Sequence, residues 1–472
     1  MVRIAAFVFW GCLDPHPPDA REAGGHVDAT AASSGAVTPE GPRPEPALVD
    51  LSCAPTANEL RWTCDVHVEP PQPVQVRFHR TDGLSVERVH TSGEVANDHV
   101  VPVYFLAGGT SYAVEALATS GASESANTSI VTDLPIPLVQ STLEISGTAT
   151  TPWVGTNTPC SQRAIAVVYD TSTGDLVWYD ELDPSGTFGD LNMVRFTPEH
   201  TVVGEAGDDV IEIDLMGNEL AHLVDVNAML GADATFWGLH HDVFARNGLY
   251  YVMFRVSYEP GDVLDAVAIL DAQSTLLNTW YPSEHLPLPD AWSGDWLHTN
   301  TIWVDDAGDL LLSWTAQDTI GKVKGDPSAD DFGTLEWTLA GTAGALGSDV
   351  TIDWSAIEEP HAFDYQHDLS LTDDAQVVLL DNGNGRGLVF ELDEEALTAT
   401  AVGVYPTGSA ACGPQGTAAL TSAGKVMVGC SEGTLLEYDA ATAEPEWEAG
   451  FSCELPIVTG GAGVRWYPLD DW

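Results

Sequence analysis

The feature that most constrains the fold is a repeated pair of short strands, which recurs from residue 135 to the end of the chain. In each repeat an apolar strand ends in an acid, a polar turn follows, and a second strand often carries Trp, as in VVYDTSTGDLVWY and LLEYDAATAEPEWEAG. The acidic markers are spaced by 44, 57, 65, 57 and 46 residues, and they are Asp170, Asp214, Asp271, Glu336, Asp393 and Asp439.

Six units of about four strands each predict an all-β fold with a six-bladed β-propeller over residues 135–472, because each sheet leaves one face unsatisfied until its neighbours cover it. A long β-sandwich and a β-helix are the alternatives. The repeat is too long for one coil of a β-helix.

Residues 48–134 show a different pattern, in which alternating strands such as VQVRFHR and HVVPVYF are separated by polar turns. Here FLAGGTSYAVEALATSG resembles the late strand of a fibronectin type III domain, in which a Tyr hydroxyl ties a corner to nearby backbone. We therefore expect a small fibronectin-III- or Ig-like β-sandwich over residues 48–134, with Tyr112 in that corner. Residues 13–47 are rich in Pro, Ala, Gly and acid without a hydrophobic period, and we expect a disordered linker.

The charge balance is strongly acidic, with 16 basic against 71 acidic residues and a net charge of −55. Such a surface repels phosphate backbones and anionic headgroups, which argues against nucleic acid as a partner. The composition favours a solvated acidic surface suited to a salty or extracellular medium.

The N-terminal segment MVRIAAFVFWGCLDP has an early Arg and an apolar run from Ile4 to Trp10, which is short for a signal-peptide core and too short to span a bilayer as a helix. The string FWGC resembles a bacterial lipoprotein cleavage box, in which the Cys becomes the lipidated first residue. We expect residues 1–12 to direct export to the periplasm or cell surface, with Cys12 as a candidate lipid anchor.

The cysteine count supports export, since seven becomes even if Cys12 is lipidated. No CxxC is present, so zinc-ribbon and thioredoxin chemistry have no motif. Cys53 and Cys64 flank a short segment and are expected to pair. The other four are expected to pair among themselves in an order that the sequence leaves open, and they are Cys160, Cys412, Cys430 and Cys453.

Polar residues recur at one place when the strands before the markers are aligned, as HHDVFARNGLYYVMF, LHTNTIWVDDAGDLLLSW, QHDLSLTDDAQVVLLDNG and PQGTAALTSAGKVMVG. In a propeller this place is the start of the innermost strands, which line the central channel. Three repeats are therefore expected to aim imidazoles at one axial pocket. The recurring polar positions are His240/His241, His298/Asn300, Gln366/His367 and Gln415.

Convergent histidines have three interpretations. A metal site would use three or four ligands with partners behind them, for which Asp242 and Asp368, each directly after a His, are candidates. A structural polar channel would bond the histidines to neighbouring backbone. Nucleophilic and acid–base catalysis on an anion would use one neutral imidazole to attack and its neighbours to donate hydrogen bonds.

Several strings resemble the arylsulfate sulfotransferase family in the family's order: HHD, WLHTNTI, LLLSW followed by TIGKV, and QHD followed by LLDNG. The resemblance covers roughly residues 140–440. It implies a β-sandwich followed by a six-bladed propeller, a small-molecule aryl sulfate donor, a phenolic acceptor, and no metal or nucleotide cofactor.

The resemblance also implies roles for the histidines. By motif position, His367 would take the sulfuryl group and pass it to the phenol. His298 and one of His240 and His241 would hydrogen-bond the transferring group and protonate the departing phenolate. Fixed donors would meet the charge spread over the equatorial oxygens, as in phosphoryl transfer.

The chain departs from the family pattern at one position. Family members usually carry an Arg in a segment S-x-R after the second histidine strand, whereas SWT places Thr315 there. A neutral hydroxyl is a weaker sulfate donor than a guanidinium. Arg255 and Arg386 are candidate substitutes, with rim residues as the alternative, and Asn300 and Gln366 are the other candidate substrate-binding residues.

Two functions therefore compete. The first is an enzyme that transfers a sulfuryl group from an aryl sulfate to a phenol through a histidine intermediate. The second is a non-catalytic propeller that binds a ligand or a protein.

Overall fold

The computed structural model describes residues 48–472 except 85–86, 120–124, 159, 161–163, 183–192, 227–234, 260–261, 290–293, 343, 359, 373, 432–433, 454–464 and 471. Of the described residues 59% are strand and 4% are helix, which confirms the all-β class. The expectations for residues 1–12 and 13–47 lie outside the described residues. Among the described helices, none combines the length and the hydropathy of a membrane span.

The N-terminal part forms one antiparallel sheet of five strands, in which β2 is the long central member. The first half of β2 pairs with β1 and the second half with β4, and β3 pairs with both halves. Buried residues alternate along β2 and β4, as expected for strands with one face on an apolar core. The strands are β1 (Leu48–Pro55), β2 (Trp62–Arg80), β3 (Arg88–Val103), β4 (Ser111–Ala118) and β5 (Ser125–Val131).

The remainder of the described chain forms six sheets, which we call sheets I to VI, each built on four antiparallel strands that are consecutive in the sequence in all sheets except sheet I. Sheet I combines β7–β9 with the last strand of the chain, β32, so that strands from both ends of this region share one sheet. Sheets II to VI are β10–β13, β14–β17, β19–β22, β24–β27 and β28–β31. Three further strands join these sheets: β6 pairs with the edge strand β31, β23 runs parallel to the edge strand β27, and β18 runs parallel to the start of β16, an inner strand.

The strands of the six sheets and the one described α-helix have the following bounds: β6 (Ser141–Gly147), β7 (Trp153–Asn157), β8 (Ile165–Asp170), β9 (Leu176–Glu181), β10 (Val194–Phe196), β11 (Val202–Ala206), β12 (Asp209–Ile213), β13 (Glu219–Leu223), β14 (Thr235–Arg246), β15 (Leu249–Glu259), β16 (Asp262–Asp271), β17 (Leu276–Trp280), α1 (Pro282–His285), β18 (Gly294–Asp295), β19 (Thr299–Val304), β20 (Leu310–Trp314), β21 (Thr319–Val323), β22 (Leu335–Ala340), β23 (Thr351–Asp353), β24 (His367–Leu371), β25 (Gln376–Asp381), β26 (Arg386–Asp393), β27 (Thr398–Pro406), β28 (Thr417–Leu420), β29 (Lys425–Gly429), β30 (Leu435–Asp439), β31 (Pro445–Cys453) and β32 (Trp466–Leu469). Short 3₁₀ helices lie at Pro137–Val139, Thr315–Gln317 and Asn382–Asn384.

The first strands of neighbouring sheets contact one another in a closed order. Strand β14 contacts β10 and β19, β24 contacts β19 and β28, and β28 contacts β32 of sheet I. Strand β10 contacts β7, which pairs with β32. The sequence of contacts therefore runs from sheet I through sheets II to VI and back to sheet I.

An apolar core fills each space between neighbouring sheets, because strands buried on both faces supply side chains to both neighbours. In β25, Val377 and Leu379 belong to the core between sheets IV and V, whereas Val378 and Leu380 belong to the core between sheets V and VI. The other pairs of neighbouring sheets enclose comparable clusters. Because both faces of these strands are buried, the strands are continuous apolar runs in the sequence.

The acidic marker of the fourth repeat was misplaced. Asp170, Asp271 and Asp439 end the third strands of their sheets, but Glu336 lies within β22, the fourth strand of sheet IV. The third strand of that sheet, β21, is followed by Lys324 rather than by an acid. Because no acid directly follows β21, the sequence pattern placed the marker one strand too late.

The corner tyrosine was predicted correctly. The hydroxyl of Tyr112 accepts a hydrogen bond from the backbone N–H of Ala107 at 2.7 Å, and the side chain is buried. The sheet that contains it is joined to sheet I by ion pairs of three arginines with three aspartates, Arg61–Asp180, Arg80–Asp175 and Arg88–Asp170.

Three disulfides confirm the predicted cysteine pairing. Cys53 pairs with Cys64 between facing positions of β1 and β2. The order that the sequence left open is Cys160 with Cys453 and Cys412 with Cys430. Three disulfides are typical of an oxidising compartment and indicate an extracellular or periplasmic protein.

The Cys160–Cys453 bridge joins sheet I to the end of β31 in sheet VI across a sequence separation of 293 residues. We predict that replacing both residues with Ser lowers the free energy of unfolding by about 2–4 kcal/mol, because a long loop gains more chain entropy when it is opened. The matched control is the Cys53→Ser, Cys64→Ser variant, whose bridge spans 11 residues and should cost less. Denaturant unfolding of both variants checks the order, and a larger loss in the control would contradict it.

Candidate active site

The candidate site lies where the first strands of four neighbouring sheets bend. A positive φ occurs at His241 (64°) in the middle of β14, and near the starts of β19, β24 and β28 at His298 (46°), Asp368 (50°) and Gln415 (66°). Strands β14, β19 and β24 also shift register in their pairing near these residues. Positive φ in bulky residues is strained and persists only where surrounding contacts hold it, as is typical of functional sites.

Four histidines from three sheets lie together at this place. Nε2 of His241 lies 2.9 Å from Nε2 of His298. The ring of His240 lies 3.9 Å from that of His241 and 5.5 Å from that of His298, centre to centre. The ring of His367 lies 6.4 Å from that of His241. Three of the four are buried, and His298 keeps 29% of its side chain exposed.

Two of the histidines have carboxylate partners. Nδ1 of His298 lies 2.8 Å from Asp295, and Nδ1 of His240 lies 2.9 Å from Asp265. Arg255 joins these two carboxylates, because it pairs with both, and its Nη2 lies 3.4 Å from Nδ1 of His298. A carboxylate on Nδ1 leaves Nε2 as the nitrogen that faces the cluster.

The surroundings lower the pKa values of two histidines and of Asp295. Burial lowers the pKa of His240 against the opposing effect of Asp265. Burial and the neighbouring histidines lower the pKa of His241 well below its ordinary value. Burial raises the pKa of Asp295, but the hydrogen bond from His298 and the charge of Arg255 outweigh burial and leave it lowered. His298 is the histidine of this cluster that makes a hydrogen bond to a carboxylate, at Nδ1.

His367 is held as one neutral tautomer. Its Nδ1 lies 3.1 Å from the carbonyl oxygen of Tyr365 and 3.2 Å from Oδ1 of Asn382. The amide nitrogen of Asn382 donates to the carbonyls of Gly413 and Gln415, both at 2.6 Å, so its oxygen must face His367. Both partners of Nδ1 are acceptors, and Nδ1 therefore carries the proton.

Nε2 of His367 consequently carries the lone pair. This nitrogen is buried and has no hydrogen-bond partner among the described residues. Burial lowers the pKa of His367 to about 3. A buried, unpaired and unprotonated nitrogen has the properties required of a nucleophile.

A small cavity opens at this nitrogen. Its lining residues come from first strands or the segments directly before them, and they are Met193, His241, Asn300, His367, Gln415, Gly416 and Arg465. Oε1 of Gln415 is buried without a partner among the described residues. The cavity therefore offers unpaired polar atoms beside His367.

The predicted substrate-binding residues are placed differently from one another. Asn300 lines the cavity, and Arg255 contacts His298. The amide nitrogen of Gln366 donates to the Thr319 carbonyl at 3.1 Å rather than towards the histidines.

Two further candidates complete that set. Thr315 is buried, its backbone N–H donates to the His298 carbonyl at 3.2 Å, and its hydroxyl has no partner in the described part of the chain. The donors of Arg386 are committed to Asp381 and to the carbonyls of Pro360 and Ala362.

A buried group of charges, which we call the arginine–aspartate network, was not predicted. It consists of Arg195, Asp242, Arg465 and Asp368. Asp242 lies 2.6 Å from Nη2 of Arg195 and 3.2 Å from Nη1 of Arg465, and Nε of Arg465 lies 2.9 Å from Asp368. The position of Asp242 and Asp368 directly after a His is visible in the sequence, but it suggested partners for a metal site. Nothing in the sequence around the two arginines distinguishes them.

The pKa of His367 predicts how stability depends on pH. The folded pKa of about 3 lies below the ordinary value of 6.5, so the unfolded chain binds one more proton between these values. Stability should therefore fall as the pH drops through this window, by about 1.4 kcal/mol per pH unit from this residue. The His367→Gln variant should lack this contribution when both proteins are unfolded by denaturant at several pH values. Parallel pH profiles of the two proteins would contradict the buried neutral state.

Comparison with known proteins places the chain in a family. The family model for arylsulfotransferase (ASST) matches residues 154–402. No curated protein matches the chain significantly.

Two solved structures are similar in fold comparison. A protein of unknown function from Bacteroides caccae is 10% identical, with 67% of this chain and 98% of that chain covered and a TM-score of 0.42. Virginiamycin B lyase from Staphylococcus aureus is 13% identical, with 56% and 70% covered and a TM-score of 0.33. Because the family match spans more than half of the residues, the chain belongs to the arylsulfotransferase family.

Proposed function

We propose that this protein transfers a sulfuryl group from an aryl sulfate to a phenolic acceptor through an intermediate on His367. The observation that carries the proposal is the unpaired, buried Nε2 of His367, which faces a cavity shared with His241. Family membership indicates the reaction class. The tautomer of His367 leaves the lone pair on Nε2, which makes this nitrogen the proposed nucleophile.

In the first step Nε2 of His367 attacks sulfur, the N–S bond forms, and the bond from sulfur to the aryl oxygen breaks. The ring gains positive charge, which the Asn382 and Tyr365 oxygens on Nδ1–H stabilise. The leaving phenolate takes the proton of the His241–His298 hydrogen bond, which resides on His298 because Asp295 compensates its charge.

In the second step the acceptor phenol attacks sulfur and the N–S bond breaks. The phenol proton returns to the His241–His298 pair, and His367 regains its lone pair at Nε2. Each step thus begins and ends with the same number of protons, and the histidine pair alternates between acid and base.

Charge on the sulfuryl oxygens requires donors at the cavity. Thr315 offers only a neutral hydroxyl where relatives carry an Arg. We assign the compensating charge to Arg465, which lines the cavity and is held by Asp242 and Asp368. A guanidinium that is fixed before the reaction stabilises developing charge without reorganisation.

The architecture proposed for this function is a six-bladed propeller over residues 135–472, preceded by a β-sandwich domain over residues 48–134. Three observations support the propeller: six sheets built on four strands each, a closed order of contacts between the sheets, and an apolar core between each pair of neighbours. The cavity would then lie at the axis, where inner strands of all blades meet.

A non-catalytic binding propeller is the second candidate. The observation that favours it is Thr315, because loss of the family Arg removes a charged sulfate donor. In that case the cavity would bind an anion without forming a covalent bond to His367.

A covalent label separates the two candidates. We predict that incubation with p-nitrophenyl sulfate adds the mass of one sulfuryl group to the peptide that contains His367. The His367→Ala variant should lose the label and the release of p-nitrophenol, whereas His361→Ala, at an exposed histidine, should keep both. Release of p-nitrophenol at an unchanged rate in His367→Ala would contradict the histidine intermediate.

The tautomer of His367 can be tested through Asn382. We predict that Asn382→Ala lowers the rate of p-nitrophenol release by at least about ten-fold, because the ring loses one of the two acceptors that fix Nδ1–H. The matched control is Asn384→Ala in the same turn, since Asn384 bonds to Asp381 and not to His367. Stopped-flow rates and melting temperatures of both variants check this, and equal rates at equal stability would rule out the positioning role.

A further inference from the structure

Three of the site histidines form a second arrangement that sulfuryl transfer does not require. His240, His241 and His298 each offer one ring nitrogen, and these nitrogens all lie within 4.8 Å of one another. Three imidazoles are a ligand set that suits zinc, copper and nickel.

The distances are close to those of a metal centre. Nitrogens bound tetrahedrally to Zn²⁺ at about 2.0–2.1 Å lie roughly 3.3 Å apart. The Nε2 atoms of His241 and His298 are 2.9 Å apart, so an ion between them would replace their hydrogen bond with a small outward movement. The two most distant ring nitrogens must approach each other by roughly 1.5 Å to reach this spacing. Small rotations of the histidine side chains would bring them that much closer.

The carboxylates behind the histidines strengthen the case. Asp265 lies 2.9 Å from Nδ1 of His240, outside hydrogen-bond geometry, and accepts the backbone N–H of Thr299 at 2.7 Å. Asp295 accepts two hydrogen bonds from His298, one from Nδ1 at 2.8 Å and one from the backbone N–H at 3.0 Å. A hydrogen-bonded carboxylate–histidine pair such as Asp295–His298 fixes the ring and directs the Nε2 lone pair towards a metal.

We propose that His240, His241 and His298 bind one divalent transition-metal ion, such as Zn²⁺, and that the bound ion blocks sulfuryl transfer. The second half rests on the proposed function. Nε2 of His298 cannot ligate a metal and hold the proton destined for the phenolate at the same time, so the metal-bound protein lacks its acid. His367 lies outside this group of three, because the centre of its ring lies 6.4 Å from that of His241.

Metal binding is measured first, by titrating chelator-treated protein with Zn²⁺ against a chromophoric chelator and by recording the visible spectrum with Co²⁺. We expect one ion per chain and a four-coordinate Co²⁺ spectrum. His298→Ala should weaken binding by at least about ten-fold, and Asp295→Asn, which keeps all three ligands, by about 10- to 100-fold. His367→Ala and His361→Ala should bind as the wild type does.

Affinity that is unchanged in both His298→Ala and Asp295→Asn, with melting temperatures near the wild-type value, would overturn the site. The blocking effect is measured by labelling His367 with p-nitrophenyl sulfate at saturating Zn²⁺ and after the ion has been removed. Labelling of the metal-free protein alone supports the proposal, and equal labelling in both states overturns the block. Zn²⁺ binding without labelling in either state would remove the proposed function and leave the metal site intact.

Discussion

The structure depends on the arginine–aspartate network, because this one buried group of charges contacts all six sheets. Arg195 lies in sheet II, Asp242 in sheet III and Asp368 in sheet V, and Arg465 directly precedes β32 of sheet I. The connections to sheets IV and VI are hydrogen bonds from Arg465 to Thr301, from the Ile302 N–H to Asp242 and from the Ala418 N–H to Asp368. Removing one member would leave an uncompensated buried charge, which typically costs about 3–5 kcal/mol.

This network also explains the HHD and QHD strings. Asp242 and Asp368 anchor β14 and β24, and the preceding residues, His241 and His367, present their rings to the cavity. The strained φ at His241 and Asp368 persists because the ionic contacts hold the backbone. The aspartates therefore fix the backbone beside both rings, while their own oxygens bond to Arg195 and Arg465. Burial and the charge of Asp242 raise the pKa of Glu205 well above its ordinary value.

Much of this arrangement was predictable from the sequence, and the reasons are local. The all-β class, the Tyr112 corner and the shared register of His241, His298 and His367 follow from patterns repeated along one strand or turn. Glu336 was misplaced because a marker that relies on an acid directly after the third strand fails in sheet IV, where Lys324 stands at that position. Arg195 and Arg465 were missed because their pairing with Asp242 depends on contacts between residues that lie far apart in the sequence. The same holds for Asn382, whose role depends on the carbonyls of a neighbouring sheet.

The central claim is that His367 presents an unprotonated Nε2 to the cavity. Nitrogen–proton correlation NMR of protein labelled with ¹⁵N-histidine tests it most directly, with the His367→Gln variant to assign the signal. The account predicts a neutral ring at neutral pH with the proton on Nδ1 and a lone pair on Nε2. A proton on Nε2, or a doubly protonated ring at neutral pH, would contradict it.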